Sequence, residues 1–122
     1  MKSVLAVGTA GFLGAVARFL VSAVVSRFWF HDFPLATFLI NVSGSFALGF
    51  LASFGLERQA LDPTLRLAVT TGFLGAFTTF STFEVETLRL TERGATGWAV
   101  ANVTASVAAG FLAARLGVAL AR

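Results

Sequence analysis

Four long apolar blocks, separated by short charged connections, decide what this chain of 122 residues can fold into. The mean hydropathy is +0.85, and the 12% of charged residues are too few to cover the surface of a soluble domain of this size. A helix needs about 20 residues to cross a bilayer, so four crossings use nearly the whole chain. We therefore predict an all-α membrane protein. Its single four-helix transmembrane domain spans residues 1–122, with helices at about 4–26, 35–56, 65–88 and 97–120.

The composition also excludes several classes of function. The chain has no cysteine, and its one histidine, His31, cannot make a multi-histidine metal site within one chain. Glu84 and Glu86 have no paired histidine or metal partner, so no catalytic set is visible. The net charge of +3 is scattered over loops and helix ends and forms no basic stripe. We expect neither an enzyme nor a nucleic-acid-binding protein, and the lipid bilayer is the expected surrounding.

The third block contains an unusual run, GFLGAFTTFSTF, at residues 72–83. It combines two glycines, four hydroxyl residues and four phenylalanines, which a lipid-facing helix does not need. Glycine loosens a helix, and backbone freed at membrane depth is tolerated only where protein or water satisfies it. The run therefore predicts a third helix broken in the middle of the membrane around a small ion. Phe80 and Phe83 share one face, and this spacing alone favours core packing over contact with an ion. Thr82 and Glu86 are four residues apart and also share a face.

The second block carries a stripe of small and polar residues that recur every four positions: Thr37, Asn41, Ser45, Gly49 and Ser53. Such stripes commonly hold membrane helices together, and most of this one fits that interpretation. Asn41 fits it less well, because an amide in the middle of a membrane needs several partners. We interpret its NH2 group as a candidate donor to an anion.

The fourth block has a second stripe with the same spacing, formed by Asn102, Ser106 and Gly110 and flanked by alanines that permit close packing. The first block has small residues at Gly8, Gly11 and Gly14 that serve the same purpose.

Arg18 lies within the first block. It is either a side chain that extends to the membrane surface or a cation that lines an aqueous vestibule. A signal peptide is disfavoured, because the apolar stretch is too long and Arg18 interrupts it.

The orientation of the chain is weakly specified by its charges. The basic residues fall on the two sides as Lys2, Arg58, Arg66, Arg115 and Arg122 against Arg27, Arg89 and Arg93. This bias is small for the positive-inside rule. The chain can therefore insert in both directions, which permits an antiparallel dimer.

Three motifs are informative together: GFLGAVARF at residues 11–19, NVSGSF at residues 41–46 and GFLGAFTTFSTF at residues 72–83. They resemble the first-, second- and third-helix motifs of the CrcB, or Fluc, family of fluoride channels. The third motif is the most specific, and the resemblance covers the whole chain in length and number of helices. The chain departs from common family residues at Ala76, Asn102 and Gly110, where glycine, tyrosine and serine are frequent.

The resemblance implies a dual-topology protein of the bacterial inner membrane that works as an antiparallel homodimer and exports fluoride to relieve its toxicity. It implies two pores per dimer and a central structural sodium ion at the breaks in the third helices. Carried over by residue, Asn41, Phe80 and Phe83 would face fluoride, and Gly75 and Thr78 would give backbone carbonyls to sodium. The remaining predicted pore residues are Ser81, Thr82, Glu86, Ser106, Thr37 and Asn102, with Arg18 in the vestibule.

The chemistry of the named residues agrees with this implication. Fluoride is small and strongly hydrated, so a pore must replace its water donors. Amide and hydroxyl groups and aromatic ring edges can do this without a fixed cation that would trap the ion. Exposed carbonyls suit sodium, a hard cation that prefers oxygen.

Two other interpretations compete with a fluoride channel. Small dual-topology multidrug exporters rely on a carboxylate in the first helix, whereas no Asp or Glu precedes Asp32 here. A non-transporting membrane anchor or assembly protein explains the packing glycines but does not explain the run of hydroxyl and phenylalanine residues.

Overall fold

The computed structural model describes all residues from Met1 to Arg122, and every regular element in it is helical. Three helical stretches are long and apolar enough to cross a membrane. They are α1 (Lys2–Phe28), α2 (Leu35–Leu51) with its π-helical continuation π1 (Ala52–Glu57), and α6 (Thr96–Ala121). The prediction of an all-α fold is thereby confirmed, and the three apolar stretches are consistent with a membrane protein.

The region between π1 and α6 is divided into shorter elements: α3 (Pro63–Leu67), the π-helical π2 (Ala68–Leu74), α4 (Gly75–Phe77) and α5 (Phe80–Glu92). The first three follow one another without a gap. Thr78 and Thr79 then have extended backbone, with ψ values of 157° and 116°. These two residues are the only non-helical ones between Pro63 and Glu92.

Two pairs of elements make up most of the packing. The most extensive contact joins α2 to α6, and α1 packs along π2 and α4. Glycines allow both approaches, because a Cβ atom on Gly49 would overlap the Ala114 backbone, and one on Gly14 would overlap the Phe73 backbone. Close packing through small residues, as the sequence predicts, is found in the structure.

The two tryptophans lie at the same end of the helices. The indole Nε1 of Trp29 donates to the carbonyl of Phe33 over 2.7 Å, and the Phe33 and Trp98 rings are 6.1 Å apart. Indole side chains favour the level of the lipid headgroups, where one end of the ring is apolar and the other can be hydrated. This aromatic cluster therefore suits a position at one membrane surface.

Few side chains are shielded from the surroundings within one chain. Only 16 of 122 residues are buried, and large apolar side chains are exposed along α1 and α6, among them Phe12, Phe19 and Phe111. In water such a surface would be unfavourable. It suits contact with lipid tails or with another protein.

Candidate ion pathway

The extended backbone at Thr78 and Thr79 is held by a side chain from α2. Asn41 Nδ2 donates to the Thr79 carbonyl over 2.9 Å, and the Thr79 N–H donates to Asn41 Oδ1 over 2.8 Å. The amide thus satisfies both polar groups of a residue that has left the helix. One N–H of Asn41 is used in this way, and the second remains for another acceptor.

Thr79 also begins the next helix. Its Oγ1 accepts from the Thr82 N–H over 3.3 Å and donates to Thr82 Oγ1 over 3.0 Å, as an N-cap residue does. Sequence analysis did not single out Thr79. A threonine at the end of the glycine-containing stretch, before the helical pair Phe80 and Phe83, is the signal that could have identified it.

Two carbonyls beside the interruption lose their usual helical donors. The Thr79 N–H, which would bond the Gly75 carbonyl in a continuous helix, donates to Asn41. The Thr82 N–H, which would bond the Thr78 carbonyl, donates to Thr79 Oγ1. No group of acidic or histidine side chains in the chain could hold a metal ion. A cation here would therefore be bound by backbone and hydroxyl oxygens.

A cavity of about 330 Å³ lies beside the interruption. It brings together six of the predicted site residues: Asn41, Gly75, Thr78, Phe80, Phe83 and Ser106. No charged residue lines it, and three of its hydroxyl residues, Ser45, Thr70 and Thr79, were not among the predicted site residues. The cavity therefore offers neutral donors and acceptors beside apolar walls.

The two phenylalanines of the cavity differ in environment. Their ring centroids are 5.9 Å apart with an interplanar angle of 41°. Phe83 is buried, whereas Phe80 is 74% exposed. Phe83 therefore packs in the core and also lines the cavity, and Phe80 presents most of its ring to the outside of the chain.

Thr37 and Glu86 lie apart from this cavity, towards the end of the helices. Thr37 Oγ1 donates to Glu86 Oε1 over 2.7 Å, and Glu86 Oε2 is buried without a partner. Glu86 lines a second cavity of about 370 Å³ with four other charged residues, a proline and a leucine: Asp32, Arg89, Glu92, Arg93, Pro34 and Leu90. The two cavities are thus chemically different, the first neutral and the second charged.

The other predicted pore residues do not line the first cavity. Asn102 is 1% exposed and bonds Thr87 and Ser106. Ser81 and Thr82 are exposed on α5. Arg18 is half-buried on α1 and makes no salt bridge. A single chain therefore assembles only part of the predicted set.

The fold and site define a small multi-pass α-helical membrane protein with a neutral, hydroxyl-lined cavity between its helices. The family model for "CrcB-like protein, Camphor Resistance (CrcB)" matches residues 5–118, and the chain belongs to this family. The family resemblance seen in the sequence is confirmed.

Similar proteins cover nearly the whole chain. The chain is 48% identical over 118 residues to "Fluoride-specific ion channel FluC 1" of Moorella thermoacetica, which covers 97% of this chain and 83% of that protein. It is 39% identical over 122 residues to "Fluoride-specific ion channel FluC" of Citrifermentans bemidjiense, with 100% and 98% covered. These relatives are named as channels and not as enzymes.

Proposed function

We propose that this chain is a fluoride-selective channel that exports fluoride across the bacterial inner membrane. The observation that carries the proposal is the cavity beside Thr78 and Thr79, where neutral donors and aromatic rings meet on a chain whose relatives are named as fluoride channels. A pore for fluoride must replace the donors of its hydration shell. The free N–H of Asn41, the hydroxyl of Ser45 and the positive edges of the phenylalanine rings are such donors.

The absence of charge in the cavity lining supports conduction rather than storage. An arginine or lysine beside the ion would bind it strongly in a low-dielectric site and slow its departure. Neutral donors give weaker and more numerous contacts. The four crossings of the membrane are then α1, α2 with π1, the stretch from α3 to α5, and α6, and the interruption at Thr78 and Thr79 lies at membrane depth.

The active form is an antiparallel homodimer with two pores. Phe80 and Gly75 are exposed in the single chain although both line the cavity, so a second copy would complete the wall there. The exposed apolar faces of the helices are available for that contact. The small charge bias between the two sides allows both orientations to insert.

A structural sodium ion at the centre of the dimer fits the residues present. The carbonyls of Gly75 and Thr78 lack their usual helical donors, and a hard cation prefers oxygen ligands. Asn41 and Thr79 contribute indirectly, because they bind the amides that would otherwise occupy those carbonyls. The same carbonyls of a second copy would supply further ligands.

Fluoride flux tests the channel directly. Liposomes that contain only this protein should release fluoride down its gradient and retain chloride, as measured with ion-selective electrodes. Protein-free liposomes are the control. A folded, reconstituted protein that releases no fluoride would reject the proposed function.

Topology is tested separately with cysteine labels. The chain has no cysteine, so a single cysteine at either terminus reports its side of the membrane without background. An impermeant thiol reagent should label about half of the molecules from each side. Labelling from one side only would reject the dual orientation.

The sodium site is tested by ion replacement. Exchange of sodium for a bulky organic cation should weaken the dimer or its flux, and return of sodium should restore it. Unchanged dimer and flux after complete exchange would reject the site.

A further inference from the structure

Three side chains between α5 and α6 form a continuous chain of hydrogen bonds. Thr87 Oγ1 donates to the Phe83 carbonyl over 2.8 Å. Asn102 Nδ2 donates to Thr87 Oγ1 over 2.9 Å. Ser106 Oγ donates to Asn102 Oδ1 over 3.2 Å. These hydrogen bonds therefore lead from a backbone carbonyl in α5 to Ser106, a residue that lines the cavity.

The donor and acceptor of each hydrogen bond in this series follow from the number of protons that each group carries. The hydroxyl of Thr87 has one proton, and the Phe83 carbonyl receives it, so Thr87 can only accept from Asn102. Asn102 must then present its NH2 group to Thr87 and its carbonyl oxygen to Ser106. A carbonyl oxygen cannot donate, so Ser106 gives its only proton to Asn102.

Ser106 consequently presents lone pairs, and no proton, to the cavity. An anion at this wall meets an acceptor and cannot be bound by it. The hydroxyl can donate to an anion only after it leaves Asn102. Asn102 is 1% exposed and does not touch the cavity, so it acts on the ion through Ser106 alone.

We propose that Asn102 is a positioning residue that holds the Ser106 proton away from the cavity. Fluoride binds at Ser106 only by replacing Asn102 Oδ1 as the acceptor of the Ser106 O–H. This inference rests on the proposed fluoride channel and deepens it. Asn102 is therefore not a pore-lining donor. It weakens fluoride binding at Ser106, which favours release of the ion and hence conduction.

Substitution of Asn102 tests the inference, because the variant should bind fluoride more tightly than the wild type. Asn102→Leu keeps the approximate shape and removes the competing acceptor. The fluoride concentration that gives half-maximal flux should fall about threefold to tenfold, the range of one net hydrogen bond. The same substitution in a Ser106→Ala background should have no effect. An unchanged or raised half-saturation in folded dimers, or an equal fall in both backgrounds, would overturn the inference.

Thr87 provides a second, gentler variant. Thr87→Val removes the acceptor that fixes the Asn102 amide, so the amide can turn its NH2 group to Ser106 and release the Ser106 proton. Half-saturation should fall, by less than in Asn102→Leu. Thr87→Ser keeps the hydroxyl and should match the wild type. Equal behaviour of the Val and Ser variants would overturn the inference even where Asn102→Leu fails to fold.

A spectroscopic measurement separates this inference from the channel assignment. The chain has only two asparagines, Asn41 and Asn102, so selective ¹⁵N-asparagine labelling gives two side-chain NH2 groups. Thr87→Val should shift the Asn102 amide protons in the NMR spectrum, and Thr87→Ser should not. No shift with Val would show that the chain of bonds is absent. A normal shift in a protein without fluoride flux would retain the bonds but reject both the channel and the exchange.

Discussion

The stripes on α2 and α6 have the same spacing of four residues but different partners in the structure. On α2, Asn41 bonds the backbone of Thr79 and also lines the cavity. On α6, Asn102 is buried behind the cavity and bonds only side chains, Thr87 and Ser106. Two asparagines that look equivalent in the sequence therefore have different positions: Asn41 lines the cavity, and Asn102 lies behind its wall.

Spacing along the sequence therefore specifies a helix face but does not specify the element that packs against it. Asn41 lies opposite extended backbone, whose N–H and C=O both need partners. Asn102 lies opposite a continuous helix, where only the hydroxyl of Thr87 is available. The partner element decides the role of each amide.

The largest expected effect separates the two amides. Asn41→Asp should reduce fluoride flux about 100-fold or more, because a carboxylate cannot donate to the Thr79 carbonyl and its charge repels the anion. The measurement is fluoride efflux per folded dimer, with dimers quantified by size-exclusion chromatography.

Asn102→Leu is the matched control, since it removes the amide of the other stripe without adding charge. Its maximal flux should fall far less than that of Asn41→Asp. Equal losses in both variants would show that the two stripes act alike and would remove the distinction.

Two glycines, one on each helix, extend the contrast between α2 and α6 to stability. Gly49→Ala on α2 places a methyl group against the Ala114 backbone and should destabilise the fold by about 1–3 kcal/mol. Gly110→Ala on α6 should be neutral or slightly stabilising, because its nearest neighbour, Ser45 Oγ, is 3.7 Å away and alanine favours helix. Unfolding in denaturant, followed by circular dichroism, measures both. Equal stability of the two variants would contradict the packing seen between α2 and α6.

Much of the fold could be predicted from hydrophobicity alone. The helical bounds of α1, α2 with π1, and α6 are close to the expected ones, because a long apolar block satisfies its backbone in a membrane only as a helix. The division of the third region into α3, π2, α4 and α5 could not be predicted in detail. The position of the interruption between α4 and α5 depends on Asn41, which is distant in sequence. Its amide makes hydrogen bonds with the N–H and C=O of Thr79, where the helix stops.

Part of the candidate site could be predicted, namely the residues whose position follows from the spacing on their own helix. Asn41 and Ser106 lie on stripes, and both line the cavity. The role of Thr79 was missed, because the threonine that precedes the helical pair Phe80 and Phe83 was not interpreted as an N-cap residue. Ser81 and Thr82 remain predictions, since a single chain leaves them exposed and a second copy is needed to test their position.

Phe80 and Phe83 line the cavity together with Asn41 and Ser106, and their substitution should have an intermediate effect. Phe80→Ile and Phe83→Ile should each lower flux about tenfold, because isoleucine keeps bulk but lacks the positive ring edge. Only Phe83→Ile should also lower stability, because Phe83 is buried and Phe80 is 74% exposed. Flux per folded dimer and denaturant midpoints separate the two effects. Loss of stability with normal flux in both variants would instead favour a purely structural role in the core.

The smallest expected effect lies at the outer end of the α2 stripe. Thr37 donates to Glu86 Oε1 over 2.7 Å, and the second carboxylate oxygen has no partner. Thr37→Val removes the one hydrogen bond that holds this carboxylate, so the negative charge can turn towards the path of the anion. Fluoride flux should fall about threefold, the size of a modest net hydrogen bond.

Thr37→Ser is the matched control, because it keeps the hydroxyl and removes only a methyl group, and it should retain nearly full flux. The double variant with Thr37→Val and Glu86→Gln should have the same flux as Glu86→Gln alone, because the glutamine amide carries no charge that could turn towards the path of the anion. A further threefold loss in the combined variant would mean that Thr37 acts on the ion by itself. The α2 stripe would then contact fluoride at both Asn41 and Thr37, and its contrast with α6 would be larger than the single chain indicates.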